Sequence, residues 1–133
     1  MSGRTAPPSG WPPPTQARLG TVQIKLEPLA RTIADRYFER FPEDLARYGD
    51  AARAWELHDT QHLLHWAIGD VEGYVEMNNH VDWLARVLAA REFPLEHLAV
   101  NLELAADVTG EELDRGDEVA QRLVAAAAVV RAH

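Results

Sequence analysis

The fold class of this chain is decided by the stretch Val81-Asp82-Trp83-Leu84-Ala85-Arg86-Val87-Leu88-Ala89-Ala90-Arg91-Glu92-Phe93-Pro94-Leu95-Glu96-His97-Leu98. Val81, Leu84 and Leu88 recur at the spacing that places apolar side chains on one face of an α-helix. Pro94 is typical of a first helical turn, so a second helix is expected to begin there. Elsewhere in the sequence, no run rich in β-branched residues is bounded by hairpin turns. We therefore predict an all-α domain.

The same spacing continues on the amino-terminal side of this stretch. It predicts a first helix with a stripe of apolar side chains, which Pro28 kinks or breaks. A second helix follows and runs to a short turn that Pro42 opens and Tyr48-Gly49 closes. Asp50 is expected to cap a helix to about Ile68, after which Gly69-Asp70 supplies a stop and a new cap. The stripes consist of Leu19, Val22 and Leu26, then Leu29, Ile33, Tyr37 and Phe41, then Tyr74, Met77, Val81, Leu84 and Leu88.

Two more helices are predicted on the carboxyl-terminal side. The first carries Leu95, Leu98, Leu102 and Ala105, and Thr109-Gly110-Glu111-Glu112 resembles a capping box that starts the next helix. That last helix carries Ala120, Leu123, Val124, Ala127 and Val130 on one face. Residues 1–14 are rich in proline and are predicted to be a disordered tail. Residues 15–133 are predicted to form one helical domain of about six helices.

Composition limits the function further. The chain has 133 residues, a net charge of −8 and no cysteine. The acidic charge opposes binding to nucleic acid, and the lack of cysteine excludes thiol nucleophiles, thiolate metal sites and thioether-linked cofactors. No apolar stretch is long enough to cross a bilayer, and the first residues lack the apolar segment of a secretory signal. We expect a cytoplasmic protein that contacts neither membrane nor nucleic acid.

The strongest candidate for a ligand site is the segment His58-Asp59-Thr60-Gln61-His62-Leu63-Leu64-His65-Trp66. At about 100° of rotation per residue, its three histidines lie within about 60° of one another, with Trp55 and Trp66 beside them. Arg53, Glu56 and Thr60 fall on the opposite side of the same helix. We predict that the histidines belong to the buried face.

Three interpretations of these histidines stay open at this point. Neutral imidazoles can be hydrogen-bonded within the core. His58 and His62, four residues apart, can converge on a metal ion that takes further ligands from another helix. A planar conjugated ligand can be held between Trp66, Trp83 and the imidazoles.

The following helix supplies further candidates. His80 and Trp83 lie one turn apart beside the stripe that includes Tyr74, and they are able to face the histidines. His97 and His133 are predicted to lie on the surface. The sequence has no nucleophile elbow, no phosphate-binding glycine loop and no convincing pair of inward carboxylates, so we do not expect an enzyme.

Two parts of the chain resemble known families. The stretch from Ile33 to Tyr48, aromatic-rich before Pro42, resembles the second and third helices of globins. From Tyr48 through Asp107 the chain is also similar to the helical, globin-like sensory domain that precedes the cobalamin-binding domain in some bacterial sensors. The points of contact are Arg47-Tyr48-Gly49, His62-Leu63, and the stretch from Val81 to Leu98. Haem-free globin-like stress sensors and phycobiliproteins are more distantly similar.

This resemblance implies a globin-like fold with a pocket of tetrapyrrole size. Related domains bind a linear bilin and globins bind haem, and the matching pocket positions here are His62 and Trp83. The chain departs from the family in three ways. It holds no cobalamin domain, so cobalamin is not expected. Glu92-Phe93 stands where the relatives tend to have glycine before the proline. Without cysteine, a bilin cannot be attached through a thioether.

These observations lead to a first hypothesis of a non-catalytic sensor that holds a tetrapyrrole, most plausibly a biliverdin-like bilin, and signals to an unidentified effector protein. Ligand binding or light would change helix packing. The alternatives are a ligand-free protein-interaction module and a haem-binding globin with His80 as the iron ligand. The Ala-rich final helix fits a homodimer and a monomeric core equally well. The predicted ligand contacts are His58, His62, His65, Trp66, Tyr74, His80 and Trp83, and no metal site is assigned.

Overall fold

The computed structural model describes residues 12–133, and within them it confirms an all-α fold of six helices, to which a small β-hairpin is added. The strands are β1 (Gln16–Leu19) and β2 (Val22–Lys25). The helices are α1 (Leu26–Arg40), α2 (Pro42–Tyr48), α3 (Asp50–Glu72), α4 (Met77–Ala90), α5 (Leu95–Glu112) and α6 (Gly116–Arg131). No helix in this part of the chain is both long and apolar enough to cross a membrane.

The predicted first helical stripe is wrong, because its first two members, Leu19 and Val22, lie in a β-hairpin. β1 pairs antiparallel with β2, and Leu19 stands opposite Val22 across a two-residue turn. Gly20 has a φ of 64°, the positive value that a tight hairpin turn requires at its first position and that glycine adopts without steric strain. Ala17 and Leu19 alternate with exposed neighbours, so one face of β1 is buried.

Pro28 does not break a helix as predicted, because α1 begins only at Leu26. Pro28 is therefore in the first turn, where its missing backbone N–H has no partner to lose within the helix. Pro42 starts a short helix, α2, rather than the predicted turn. The predicted tail, residues 1–14, lies outside the described residues apart from 12–14, and there the Pro14 carbonyl accepts a 3.0 Å hydrogen bond from Gln61 Nε2.

α3 passes through the predicted stop at Gly69 and ends at Glu72. A Cβ atom at Gly69 would lie 2.6 Å from Val75 Cγ2, so glycine serves close packing of the returning chain at this position. The helix ends where Gly73 adopts the left-handed conformation, with φ of 91°. Asp70 Oδ2 then accepts a 2.9 Å hydrogen bond from the N–H of Met77, the first residue of α4.

The predicted capping box also fails, because α5 runs through all four of its residues. Thr109 donates its hydroxyl to the Ala105 carbonyl oxygen at 2.9 Å, within α5, instead of capping a new helix. α6 begins only at Gly116, which packs directly against the backbone of Thr109. Val124 on α6, predicted to face inward, is 53% exposed.

The core lies between α1, α3, α4, α5 and α6, with the hairpin packed beside them. A second, smaller group of buried side chains lies where α1, α3 and α5 meet, beside α2; it consists of Ala34, Tyr37, Phe38, Phe41, Ala52 and Val100. Aromatic rings dominate this second group, and polar side chains come together next to it.

Candidate functional site

The side of α3 that faces the core carries Glu56 and Thr60, so the prediction that these two residues point away from the core is wrong. His58 is buried and Arg53 is exposed as predicted, whereas His62 and His65 are only half-buried. Thr60 and Ala67 are completely buried, and Glu56 is 8% exposed. α3 has apolar side chains around its whole circumference, so periodicity alone does not select one face. The small side chains of Ala52, Thr60 and Ala67 allow the neighbouring helices to approach, and the larger rings take the other side.

Four of the predicted ligand contacts form a continuous row of rings, which we call the imidazole–indole row: His58, His62, Trp66 and His80. The ring centroids of His58 and His62 are 4.7 Å apart. Trp66 lies 6.0 Å from His62 and 5.0 Å from His80, so the row crosses from α3 to α4. His58 is buried, His62 and Trp66 are half-buried, and His80 is exposed. The row therefore has one closed end and one open end.

The imidazoles at the centre of this region are held in the neutral form. Burial lowers the pKa of His62, and the neighbouring His58 lowers it further. Burial also lowers the pKa of His65. His62 Nε2 is buried and has no hydrogen-bond partner among residues 12–133. His58 Nδ1 is 3.1 Å from Asp59 Oδ1, which fixes the orientation of that ring.

The remaining predicted contacts are not brought into the row. Within residues 12–133, no ring contact links His65, Tyr74 or Trp83 to it. Tyr74, predicted as a core residue of the following helix, precedes α4 and is 62% exposed. Trp83 follows His80 by one turn of α4 and is 43% exposed. In the described part of the chain no group of three or more His, Asp or Glu side chains is arranged to hold a metal ion.

A second site, which the sequence did not reveal, is a cavity of about 40 Å³ beside the aromatic group of α1, α3 and α5. We call it the acidic cavity. Its deeper wall consists of buried polar side chains, and its rim consists of half-buried rings and one carboxylate. The polar lining residues are Tyr37, Asp44, Glu56, Asp59, His97 and Asn101, and the rings beside them include Phe38, Tyr48, Trp55 and Phe93.

Asp44 is fixed on one side of the acidic cavity by two partners. The Tyr37 hydroxyl donates a short hydrogen bond to Asp44 Oδ2, and His97 Nδ1 lies 3.0 Å from the same oxygen. Burial, together with this hydrogen bond, raises the pKa of Tyr37, so the phenol stays protonated. The His97 ring stacks on Phe41 at 3.8 Å. The prediction that His97 lies on the surface is wrong, since its side chain is only 14% exposed.

Glu56 occupies the opposite side of the acidic cavity. The Thr60 hydroxyl donates to Glu56 Oε2 at 2.9 Å, and Asn101 Nδ2 donates to Thr60 Oγ1 at 3.1 Å. Burial raises the pKa of Glu56 well above its usual range, and these hydrogen bonds offset the shift only in part. Glu56 and Asp44 thus form the inward carboxylate pair that the sequence was predicted to lack.

Some of these residues left a signal in the sequence. Asn101 stands between Val100 and Leu102 in an apolar helix and on the same inward stripe as Leu98 and Ala105. A polar residue at such a position needs a buried partner, which here is Thr60. No comparable signal marked Asp44, because α2 is too short for its periodicity to be informative.

Comparison with known proteins identifies no relative: no family model, no curated protein and no solved structure matches this chain. Its function therefore has to be argued from the two sites described above.

Proposed function

We propose that this chain is a non-catalytic, cytoplasmic sensor domain that binds a tetrapyrrole, in particular a linear bilin, along the imidazole–indole row. The observation that supports the proposal is the continuity of four flat rings across α3 and α4, with centroid separations of 4.7, 6.0 and 5.0 Å. These separations fall within the range at which flat rings pack against one another. A bilin is a chain of flat rings, each of which can pack against side chains of this kind.

The protonation states in the row suit the polar edge of a bilin. A neutral imidazole donates one hydrogen bond and accepts another, whereas an imidazolium only donates. Burial keeps the central His62 neutral, and its Nε2 atom lacks a partner among the described residues. Pyrrole N–H groups are donors and terminal lactam carbonyls are acceptors, so both roles of a neutral imidazole can be used.

The position of the row also suggests how binding would be transmitted. His58, His62 and Trp66 belong to α3, whereas His80 belongs to α4. The two helices are joined by a short connection that turns at Gly73. A ligand in contact with both helices would favour one of their relative arrangements over others, which is the requirement for signalling to an effector protein.

Two alternative functions each have one observation in their favour. His80 is the candidate iron ligand of a haem globin: its Nδ1 lies 3.1 Å from the Glu76 carbonyl oxygen, which leaves Nε2 for coordination. The exposed Trp83, at 43%, favours a ligand-free interaction module in which the indole contacts a partner protein.

Pigment binding tests the proposal directly. Purified protein is incubated separately with biliverdin and haemin, and is then passed over a gel-filtration column before its absorption spectrum is recorded. We expect retained, red-shifted biliverdin absorption. The variant Trp66→Ala should bind biliverdin at least about tenfold more weakly, because a ring contact with its buried area contributes about 1.4 kcal/mol or more.

His133→Gln is the matched control, because this histidine is exposed and pairs with Asp82 away from the row. It should bind biliverdin as the unchanged protein does. A retained sharp haem band without biliverdin would support the globin alternative. Failure to retain either pigment would remove the sensor proposal in favour of the interaction module, and equal binding by Trp66→Ala would exclude the row as the site.

A further inference from the structure

β2 is the open edge of the β-hairpin. β1 packs against α3, whereas β2 makes extensive contact only with β1 among the described helices and strands. The side chains of Val22, Gln23 and Lys25 on this strand are exposed. An edge strand whose backbone groups are unpaired is a template for the addition of a further strand. The register of the hairpin decides which backbone groups these are.

The register directs the backbone N–H groups of Gln23 and Lys25 away from β1. Hydrogen-bonded pairs alternate with non-bonded pairs along an antiparallel ladder. The N–H of Leu26 donates to the Thr15 carbonyl oxygen at 3.0 Å, so residues 17 and 24, and residues 19 and 22, are hydrogen-bonded pairs as well. Gln23 and Lys25 belong to the pairs between them. Elsewhere in residues 12–133, no backbone carbonyl accepts a hydrogen bond from either N–H group.

A groove lies between the hairpin and the connection from α5 to α6, and we call it the hairpin groove. Its volume of about 560 Å³ is many times that of the acidic cavity. Its apolar lining includes Val22, which is 55% exposed, and the half-buried Leu113. A strand added beside β2 would turn every second side chain towards the face that carries Val22 and Ile24. The edge and the groove together therefore offer backbone partners and an apolar surface to an extended segment.

The charge of the hairpin groove favours a basic partner. Glu112 and Asp114 line it, are exposed and form no salt bridge within residues 12–133. Arg115 also lines it but is already paired with two other carboxylates, at 2.7 and 3.6 Å, and Lys25 is not among the lining residues. The whole chain carries a net charge of −8, so a second copy would add negative charge. A lysine or arginine of a different protein would compensate the two carboxylates.

We propose that the hairpin groove and the open edge of β2 bind an extended, basic segment of a partner protein by strand addition. The backbone of the segment pairs with Gln23 and Lys25, its apolar side chains cover Val22 and Leu113, and its basic side chains pair with the two carboxylates of the groove. In such complexes main-chain hydrogen bonds provide affinity and alternate side chains provide specificity. The inference does not rest on bilin binding, because the groove and the imidazole–indole row share no residue.

The probe is a synthetic hexapeptide of alternating lysine and valine with blocked ends. It is titrated into uniformly ¹⁵N-labelled full-length protein at low ionic strength, and the backbone amides are followed by NMR. We expect saturable shifts at Val22, Gln23 and Asp114. Amide exchange then tests strand addition itself. The Gln23 N–H should exchange about tenfold more slowly once about nine-tenths of the protein is bound, whereas the Ile24 N–H, bonded to β1, is protected with and without peptide.

Two control peptides separate the contribution of charge from that of backbone pairing. The first has glutamate in place of lysine, which keeps the valines and reverses the charge. The second carries a methyl group on every backbone nitrogen, which keeps the side chains but leaves no N–H to donate. Neither peptide should produce a saturable shift, because the first is repelled by the two carboxylates and the second cannot form a ladder with β2.

A pair of double variants assigns the role of the carboxylates. Glu112→Gln/Asp114→Asn should bind the hexapeptide about fivefold more weakly, because two exposed ion pairs are lost. Glu39→Gln/Glu92→Gln removes two exposed carboxylates elsewhere and should leave binding unchanged. The proposal is overturned if the hexapeptide gives no saturable shift, if the Gln23 N–H stays unprotected in the complex, or if both double variants bind equally well. Protection of Gln23 that rises with protein concentration in the absence of peptide would also overturn it, in favour of a second copy at this edge.

Discussion

Gly116→Ala is expected to lower the free energy of unfolding by about 3 kcal/mol, at the upper end of the usual range for overpacked positions. A Cβ atom at Gly116 would overlap the Thr109 carbonyl oxygen, and it would lie 2.8 Å from Thr109 C and 2.9 Å from Gly110 Cα. All three are backbone atoms, so no side-chain rotation relieves the overlap, and the start of α6 has to move away from α5. Thermal and urea unfolding followed by circular dichroism measure the effect.

Gly110→Ala is the matched control, because it makes the same chemical change at a glycine whose added Cβ atom would meet no other atom. Nothing lies within 4 Å of a Cβ atom at Gly110, which is exposed in the last turns of α5. Since alanine favours helix more than glycine does, this variant should gain up to about 1 kcal/mol. Equal stability of the two variants would contradict the close approach of α5 and α6 at Gly116.

Glu56→Gln is expected to change how stability depends on pH. In the folded protein, burial raises the pKa of Glu56 well above the usual 4.5, so the folded state holds a proton that the unfolded state releases. The stability that this proton provides is fully present below pH 4.5 and is lost as pH rises towards the folded-state pKa. Within that window the loss approaches about 1.4 kcal/mol per pH unit.

Urea unfolding of both proteins between pH 4.5 and 8.5 measures this difference. Glutamine does not titrate, so the stability of Glu56→Gln relative to the unchanged protein should increase with pH and then level off. Because His62 and His65 are present in both proteins, their contributions cancel in the comparison. Glu118→Gln, an exposed control whose carboxyl pKa is lowered by the Arg115 hydrogen bond, should show no such trend above pH 4.5. A flat difference for Glu56→Gln would mean that Glu56 ionises normally.

The helices were largely predictable because helix formation depends on local spacing. Met77, Val81, Leu84 and Leu88 are all buried on α4, and Leu98, Leu102 and Ala105 are buried on α5, as their three- and four-residue intervals predicted. The hairpin was missed because Leu19, Val22 and Leu26 also satisfy helical spacing. Only Gly20, which takes a positive φ, marked a turn between them.

In the candidate sites, too, the features that depend on local spacing were predictable and those that depend on tertiary packing were not. That His58, His62 and Trp66 lie close together follows from their positions on one helix and needed no tertiary structure. The sequence did not predict which side of α3 faces the core, because both sides of this helix carry apolar residues. The choice depends on how closely α1 and α5 approach Thr60.

The sequence by itself determined an acidic, cysteine-free, helical chain with a local cluster of imidazole and indole rings. The tertiary structure alone decided the acidic cavity, in which Tyr37, Asp44, Glu56 and Asn101 come from four different helices. Periodicity describes neighbours along one helix, whereas burial of a carboxyl group and its pKa depend on side chains that packing brings from distant parts of the chain.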